Sequence, residues 1–188
     1  MANYSKVIPL TLMYEGGNKY TNIPQDSGGP TKYGVCLKFA ADTNDELFDI
    51  NGDGRITKED IKLITEDIAV EGFKKYFWDR PYKLDNMESD KKAFVIFDAA
   101  VNHGAGNATR FIQRACNRIG MKCGVDGKFG PQTNRCMNDA AETAFIEAFL
   151  YERESFYKSI VERRPSQSIF LRGWLNRIKN IRRDLKTL

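Results

Sequence analysis

The stretch that decides the fold lies near the N-terminus, where residues 14–34 read YEGGNKYTNIPQDSGGPTKYG. Two adjacent glycines, Gly16 and Gly17, predict the end of a preceding helix, because glycine loses more conformational freedom in a helix than any other residue. The residues that follow mix aromatic and polar side chains with Pro24, Pro30 and further glycines. This pattern favours a short irregular hairpin over residues 18–35 rather than a helix.

On both sides of this hairpin the spacing of apolar residues predicts helices. The first is expected to run through about Tyr14, with Ser5 as its N-cap and Pro9 near its first turn, where a proline is least disruptive. The fold class is therefore mainly α with one small β element. Further helices are predicted over residues 34–46, 58–78, 90–101, 106–119, 131–160 with room for one break, and 168–186.

The length of 188 residues suits one compact domain, or two small ones that share a surface. Apolar residues make up 41% of the chain and charged residues 29%, which is typical of a globular protein with a buried core. The longest apolar run, Ala93 to Phe97, is far shorter than a membrane span requires. Because the N-terminus lacks the pattern of a secretory signal peptide, we expect synthesis in the cytoplasm and release by another factor.

Positive charge is concentrated at the C-terminal end. The net charge is +4, whereas the segment from Arg163 onward holds eight Lys or Arg residues and one acid, Asp184, and so carries +7. By composition, nucleic acid, lipid headgroups and cell-wall polymers all qualify as anionic partners. The apolar stripe of the last helix is expected to pack in the core, and the basic residues around it are either a solvated face or a contact with an anionic wall or membrane; both interpretations can hold together. The stripe consists of Leu171, Trp174, Leu175, Ile178, Ile181 and Leu185.

The cysteines and the single histidine argue against a structural zinc site, because no paired CxxC spacing is present. Cytoplasmic synthesis predicts free thiols, and a disulfide formed after release is the alternative. His103 follows an apolar run, and no nucleophile motif surrounds it, so we expect a helix-end residue rather than a catalytic one. The four cysteines are Cys36, Cys116, Cys123 and Cys136.

Residues 49–60, which read DINGDGRITKED, have the spacing of an EF-hand calcium loop. Such a loop places side-chain oxygens at positions 1, 3, 5 and 12, glycine at position 6 and a backbone carbonyl at position 7. The predicted ligands of a structural Ca2+ are Asp49, Asn51, Asp53, the carbonyl of Arg55, and Asp60. Position 12 holds aspartate instead of glutamate, so its reach toward an ion is shorter. Position 9 is Thr57, where a water usually intervenes.

The alternative for the same residues is a metal-free turn. In that interpretation Thr57 caps the following helix and Asp60, at the third helical position, completes a capping box. A solitary loop of this kind favours a structural role over a calcium sensor, since sensors usually pair two loops.

Two carboxylates near the hairpin have a spacing that permits glycosidase chemistry. Glu15 lies at the end of the first predicted helix, and Asp26 lies eleven residues later in the glycine-rich turn. Glycoside hydrolysis requires one carboxylic acid that protonates the leaving oxygen and a second, ionised carboxylate. On residue types alone, a surface acid and a turn aspartate explain the same pair equally well.

Motifs in both halves resemble a known family. Residues 15–17 (EGG), 26–34 (DSGGPTKYG) and 76–79 (YFWD) are similar to the catalytic region of family 108 glycoside hydrolases, lysozyme-like muramidases common among phage endolysins. Residues 97–104 (FDAAVNHG), 111–115 (FIQRA) and 125–133 (VDGKFGPQT) resemble the peptidoglycan-binding region that accompanies them. The matches cover most of the chain, and the calcium loop is an addition to the family pattern.

The resemblance implies a lysozyme-like α+β fold in which residues 1–90 form the catalytic region and residues 91–188 a helical peptidoglycan-binding region. It implies that Glu15 is the general acid and that Asp26 and Thr31 hold the hydrolytic water. The implied substrate is the β-1,4 bond between N-acetylmuramic acid and N-acetylglucosamine, so the expected partner is peptidoglycan and not nucleic acid. A phage endolysin would reach the wall through the membrane lesion of a holin.

Two other functions are compatible with the sequence. One is a non-catalytic, calcium-stabilised peptidoglycan-binding protein, which would release no reducing ends from the wall. The other is a calcium-responsive interaction protein, which would expose apolar surface when calcium binds.

Overall fold

Helices make up most of the described structure, a computed structural model in which residues 1–23 and 28–188 are placed. Contacts divide it into two units, one formed by Ile8–Tyr76 and the other by Met1–Val7 together with Phe77–Leu188. The division of function at residue 90 stays a prediction, because contacts alone assign no function. Within the described residues, no helix is both long enough and apolar enough to cross a bilayer.

The predicted mainly α fold with one small β element is confirmed. Strand β1 (Thr31–Lys32) pairs antiparallel with β2 (Val35–Cys36), with Thr31 opposite Cys36 and Lys32 opposite Val35. Thr21 forms a further antiparallel bridge to Thr31. The helices of this first unit are α1 (Tyr4–Leu12), which begins in the other unit, α2 (Leu37–Thr43), α3 (Lys58–Leu63) and α4 (Glu66–Phe73).

Helix α1 differs from the prediction at its start. Its cap is Asn3 rather than Ser5, since the Asn3 side-chain oxygen accepts hydrogen bonds from the backbone N–H and the hydroxyl of Ser5. Pro9 lies inside the helix rather than near its first turn, and the helix continues past it to Leu12.

The single helix predicted over residues 58–78 is divided in the structure. Helix α3 ends at Leu63, Ile64 is extended (ψ 130°), and the Thr65 hydroxyl caps α4 by accepting from the N–H of Ile68. The apolar periodicity continues across this break because Ile64 is itself fully buried. A π-helical turn, Lys74–Trp78, follows α4.

The second unit contains the long helices. Helix α5 packs against α6 and α8, and α8 packs against α9. Residues 92–100 of α5 are all buried, which makes α5 the centre of this unit. The helices are α5 (Asp90–His103), α6 (Ala105–Arg118), α7 (Pro131–Asp139), α8 (Glu142–Arg163) and α9 (Ser168–Asp184).

The break allowed within residues 131–160 falls between α7 and α8. The ammonium group of Lys92, which is 5% exposed, donates hydrogen bonds to the carbonyls of Met137, Asn138 and Ala140. These bonds satisfy carbonyls that the end of α7 leaves unpaired. Burial lowers the pKa of Lys92.

The C-terminal half of this stripe packs in the core, in agreement with the core interpretation, whereas Leu171, Trp174 and Leu175 are partly exposed. Ile178 and Ile181 are buried, whereas Arg172 and Lys179 are exposed on the same helix. All four cysteines are unbridged in the structure, and the alternative of a disulfide formed after release stays a prediction. Burial raises the pKa of the Cys116 thiol to about 12, which makes it unreactive near neutral pH.

Candidate active site

Glu15 lies in the turn that follows α1 and is half-buried. Its N–H donates to the carbonyl of Leu12 at 3.1 Å, in a turn that continues the direction of the helix past its end at Leu12. Gly16 and Gly17 then adopt positive φ angles of 76° and 64°. This left-handed backbone, which glycine adopts without steric penalty, directs the chain away from the helix and leaves Glu15 at its end.

The hairpin packs directly against the side chain of Glu15. An ideal Cβ on Gly34, at the turn between β1 and β2, would lie 2.9 Å from Cβ and 3.0 Å from Oε2 of Glu15. Only a glycine leaves room for this approach, and its φ of 78° also favours glycine. The N–H of Tyr33 donates to the carbonyl of Gly17 at 3.1 Å and ties the hairpin to the turn of Glu15. The carboxyl group is therefore held against the hairpin.

Thr31 belongs to the same hairpin. Its backbone N–H and C=O both bond with Thr21 at 2.9 Å, and its hydroxyl donates to the carbonyl of Gly29 at 2.9 Å. The hydroxyl proton is thus used, and the oxygen remains able to accept a hydrogen bond from water. Asp26, the predicted partner carboxylate, lies outside the described residues, so the roles of Glu15, Asp26 and Thr31 stay predictions.

We expect Gly34→Ala to lower activity by displacing the Glu15 carboxyl group. A shift of about 1 Å in a catalytic group lowers rates by about 10²-fold. Gly120→Ala is the matched control, because Gly120 also has a positive φ (88°) but nothing within 4 Å of its added Cβ. Both variants should lose about 1–2 kcal/mol of folding free energy from backbone strain, and only Gly34→Ala should lose activity in a reducing-end assay. Equal activity of the two variants would contradict the role of this contact.

The motif at residues 76–79 spans the boundary between the two units, and its residues form hydrogen bonds within each. The Tyr76 hydroxyl donates to the Asp45 carboxylate, which also pairs with Lys75. The hydrogen bonds from Lys75 and Tyr76 lower the pKa of Asp45 to about 2. In the other unit, buried Trp78 donates its indole N–H to Asp85 at 2.7 Å. These motif residues therefore have structural partners.

The loop at residues 49–60 is closed by its own carboxylates. Asp49 accepts from the N–H groups of Gly52 and Gly54, and Asp53 accepts from that of Arg55. Within the placed parts of the chain, no group of three or more His, Cys, Asp or Glu side chains is arranged to hold a metal ion.

Asp60 is the most constrained residue of this loop. It is fully buried, and one carboxylate oxygen accepts from the N–H groups of Ile50 and Asn51. The other oxygen accepts from the N–H and hydroxyl of Thr57, so the predicted capping box is present. These four hydrogen bonds fill the acceptor sites of the carboxylate. The geometry fits the metal-free alternative, and a calcium ion would have to displace some of these bonds from Asp60.

His103 is a structural residue in the second unit. Arg153 Nε donates to its Nε2 at 3.1 Å. The pKa of His103 is well below its usual value, mainly because of burial and secondly because of the positive charge of Arg153. A neutral, partly buried imidazole that accepts from arginine is not poised as a general base, and its place at the end of α5 agrees with the prediction of a helix-end residue.

The same arginine belongs to a buried ion network centred on Asp98. The Asp98 carboxylate, which is fully buried, accepts from Arg153 Nη1 at 2.5 Å and from Arg177 Nη2 at 2.7 Å. Asn102 accepts from Arg153 and from the Tyr157 hydroxyl. The network joins α5, α8 and α9. Sequence reasoning did not find it, because the partners lie 55 and 79 residues from Asp98.

Comparisons with known proteins agree with this architecture. Residues 8–104 match the family model described as Glycosyl hydrolase 108, and residues 107–179 match that of a Predicted Peptidoglycan domain. The chain is similar in fold to the structure of SagA from Brucella abortus, with a TM-score of 0.76, 22% identity, and coverage of 98% of this chain and 94% of that one. No curated protein matches the sequence. Because the first model spans more than half of its residues, the chain belongs to the glycosyl hydrolase 108 family.

Proposed function

We propose that this glycosidase is an N-acetylmuramidase that cleaves the β-1,4 bond between N-acetylmuramic acid and N-acetylglucosamine in peptidoglycan. The observation that carries the proposal is the packing of the Glu15 carboxyl group against Gly34 of the hairpin, within the segment that matches the family model. A carboxyl group fixed by its neighbours, at the end of a helix, can donate a proton in a constant direction.

In the proposed mechanism Glu15 protonates the glycosidic oxygen as the bond to the sugar breaks. Positive charge then develops on the sugar ring, and an ionised carboxylate is required to stabilise it or to activate water. We assign this second role to Asp26. The acceptor oxygen of the Thr31 hydroxyl is suited to orient the attacking water, since its proton is already donated to Gly29.

The second half supports binding to the polymer on which the first half acts. Its match to the model of a Predicted Peptidoglycan domain supports peptidoglycan as the partner. We assign an additional, charge-based contact with the anionic wall to the exposed basic residues of α9, among them Arg172 and Lys179. The resemblance to phage endolysins favours a role in host lysis, with access to the wall through a holin lesion.

The products of digestion test this proposal. Purified peptidoglycan incubated with the protein should gain reducing sugar ends and no free amines, because a glycosidase breaks sugar links and leaves peptide bonds intact. Free amines without reducing ends would indicate an amidase or endopeptidase. Binding to the wall without either product would support the second candidate, a non-catalytic peptidoglycan-binding protein.

We further propose that Ca2+ binds to the loop of residues 49–60 and stabilises the first unit. Its ligands would be Asp49, Asn51, Asp53, the Arg55 carbonyl and Asp60, and calcium would replace backbone hydrogen bonds of Asp60. The spacing of the oxygens supports this proposal, and the hydrogen bonds already made by Asp60 oppose it.

The calcium proposal predicts a rise in melting temperature. Calcium at a hundred times its dissociation constant contributes about 2.7 kcal/mol, which corresponds to a shift of about 5–10 °C for a chain of this size. Asp53→Asn should abolish the difference between calcium and a chelator, and Asp67→Asn, at an exposed position of α4, should retain it. An unchanged melting temperature of the wild type in millimolar calcium would identify the loop as a metal-free turn.

A further inference from the structure

Helices α6 and α8 enclose a cleft of about 360 Å³ in the second unit. Arg110 and Arg114 of α6 and Arg163 of α8 contribute guanidinium groups to it, and Phe156 contributes an aromatic side. Among the placed residues that line the cleft, none is acidic. The volume is within the range of small-ligand sites.

Arg110 is held in a fixed orientation by the loop of residues 125–130. An ideal Cβ on Gly127 would lie 2.6 Å from Cζ and 2.9 Å from both terminal nitrogens of Arg110. These distances place the face of the guanidinium against Gly127, and Nη2 of Arg110 also donates to the carbonyl of Asp126 at 3.5 Å. Gly127 has a φ of 77°, which a side chain rarely adopts.

A buried glutamine fixes this loop in turn. Gln113, which is 1% exposed, accepts from the N–H of Gly127 at 2.9 Å and donates to the Asp126 carboxylate at 2.8 Å and to the carbonyl of Lys128 at 3.2 Å. Gln113 lies one turn from Arg110 on α6, so the loop and the arginine are positioned by the same helix.

The other two arginines differ in their restraints. Arg163 donates from Nε and Nη2 to the carbonyl and the hydroxyl of Ser159, at 3.0 and 3.1 Å. The guanidinium of Arg114 makes no hydrogen bond or ion pair with any placed residue. By contrast, several arginines elsewhere in this unit pair with carboxylates, namely Arg118, Arg153, Arg177, Arg182 and Arg183. The cleft therefore concentrates positive charge that no placed carboxylate neutralises.

We propose that this cleft binds the free carboxylates of the peptide stems of peptidoglycan. A guanidinium fork matches a carboxylate in a bidentate arrangement, and Phe156 offers an apolar surface to the adjoining side chains of a peptide. Stem peptides carry free carboxylates next to the glycan strand. The inference rests on the proposed wall substrate and adds the peptide as the recognised part, in a unit separate from Glu15.

The test is a calorimetric titration of the full-length protein with a synthetic stem tetrapeptide, L-Ala-γ-D-Glu-diaminopimelate-D-Ala, and with its amidated counterpart. The free acid should bind about tenfold more tightly than the amide, because an amide cannot accept the charge-assisted hydrogen bonds that a carboxylate accepts from a guanidinium. Arg114→Gln should weaken binding of the free acid about tenfold, and Arg114→Lys should restore only part of it. The control Arg135→Gln removes the same charge from an exposed position of α7 that does not line the cleft.

Three results would overturn the proposal. They are equal binding of the acid and the amide, an equal loss in Arg135→Gln, and tighter binding of inorganic phosphate than of the tetrapeptide. The tetrapeptide contains no glycosidic bond, so the titration is independent of catalysis. If the protein releases reducing ends but does not bind the tetrapeptide, only the proposal for the cleft is rejected. If it binds the tetrapeptide but releases no reducing ends, only the proposed glycosidase activity is rejected.

Discussion

Replacing Glu15 with glutamine is expected to lower the release of reducing ends from peptidoglycan by about 10²–10⁴-fold, the usual contribution of a general acid. Glutamine has nearly the same shape, so the packing of the side chain against Gly34 should be retained while the transferable proton is lost. Far-ultraviolet circular dichroism and binding to purified wall should therefore match the wild type.

A matched control separates loss of this proton from loss of a surface charge. Glu71 is an exposed glutamate of α4 in the same unit, and Glu71→Gln should retain full activity. A folded Glu15→Gln protein that digests peptidoglycan at the rate of Glu71→Gln would refute the assignment of Glu15 as the acid.

Asp98→Asn is expected to destabilise the second unit by about 3–5 kcal/mol, since it leaves buried arginines without their counter-charge. Arg153 is fully buried and Arg177 is 11% exposed, so solvent cannot replace the lost carboxylate. Urea unfolding of the variant should be compared with that of Asp139→Asn, an exposed position at the end of α7. A loss no greater than that of the control would show that the network does not stabilise the fold.

The stability that this network contributes is expected to depend on pH. Burial favours the protonated form of Asp98, but Arg177 and Arg153 outweigh it and lower the pKa to about 2 from a usual 3.8. A depressed pKa in the folded state adds stability that is present above the unfolded pKa and is lost as the pH falls through the folded one. The difference in unfolding free energy between wild type and Asp98→Asn should therefore shrink between pH 4 and pH 2.

Local signals predicted most of the elements. The glycine pair after Glu15, the apolar periodicity of α5 to α9, and the capping box of Thr57 and Asp60 all correspond to features of the structure. The prediction of a single helix over residues 58–78 was wrong. Ile64 is extended and ends α3, but because its side chain is buried the apolar pattern continues through the break. The prediction of Ser5 as the N-cap was wrong, because Asn3, two residues earlier, takes this role.

Tertiary contacts account for what sequence reasoning missed. Glu15 and Gly34 both appeared in motifs, but their close approach depends on how the hairpin folds back on α1. The arginine cleft depends on the pairing of α6 with α8, whose cleft residues lie about 50 positions apart. No local pattern encodes such a pairing, so it could be found only from the structure.

The membership of α5 in the second unit has a consequence for gene shuffling. The family model extends to residue 104 and so includes α5, yet α5 packs against α6 and α8 and holds their shared ion network. A recombination event at that border would separate Asp98 from both of its arginines. A chimera that takes residues 1–7 and 77–188 from one parent and residues 8–76 from the other would not divide either unit between the two parents. The helices that pack against one another within each unit would then come from the same parent.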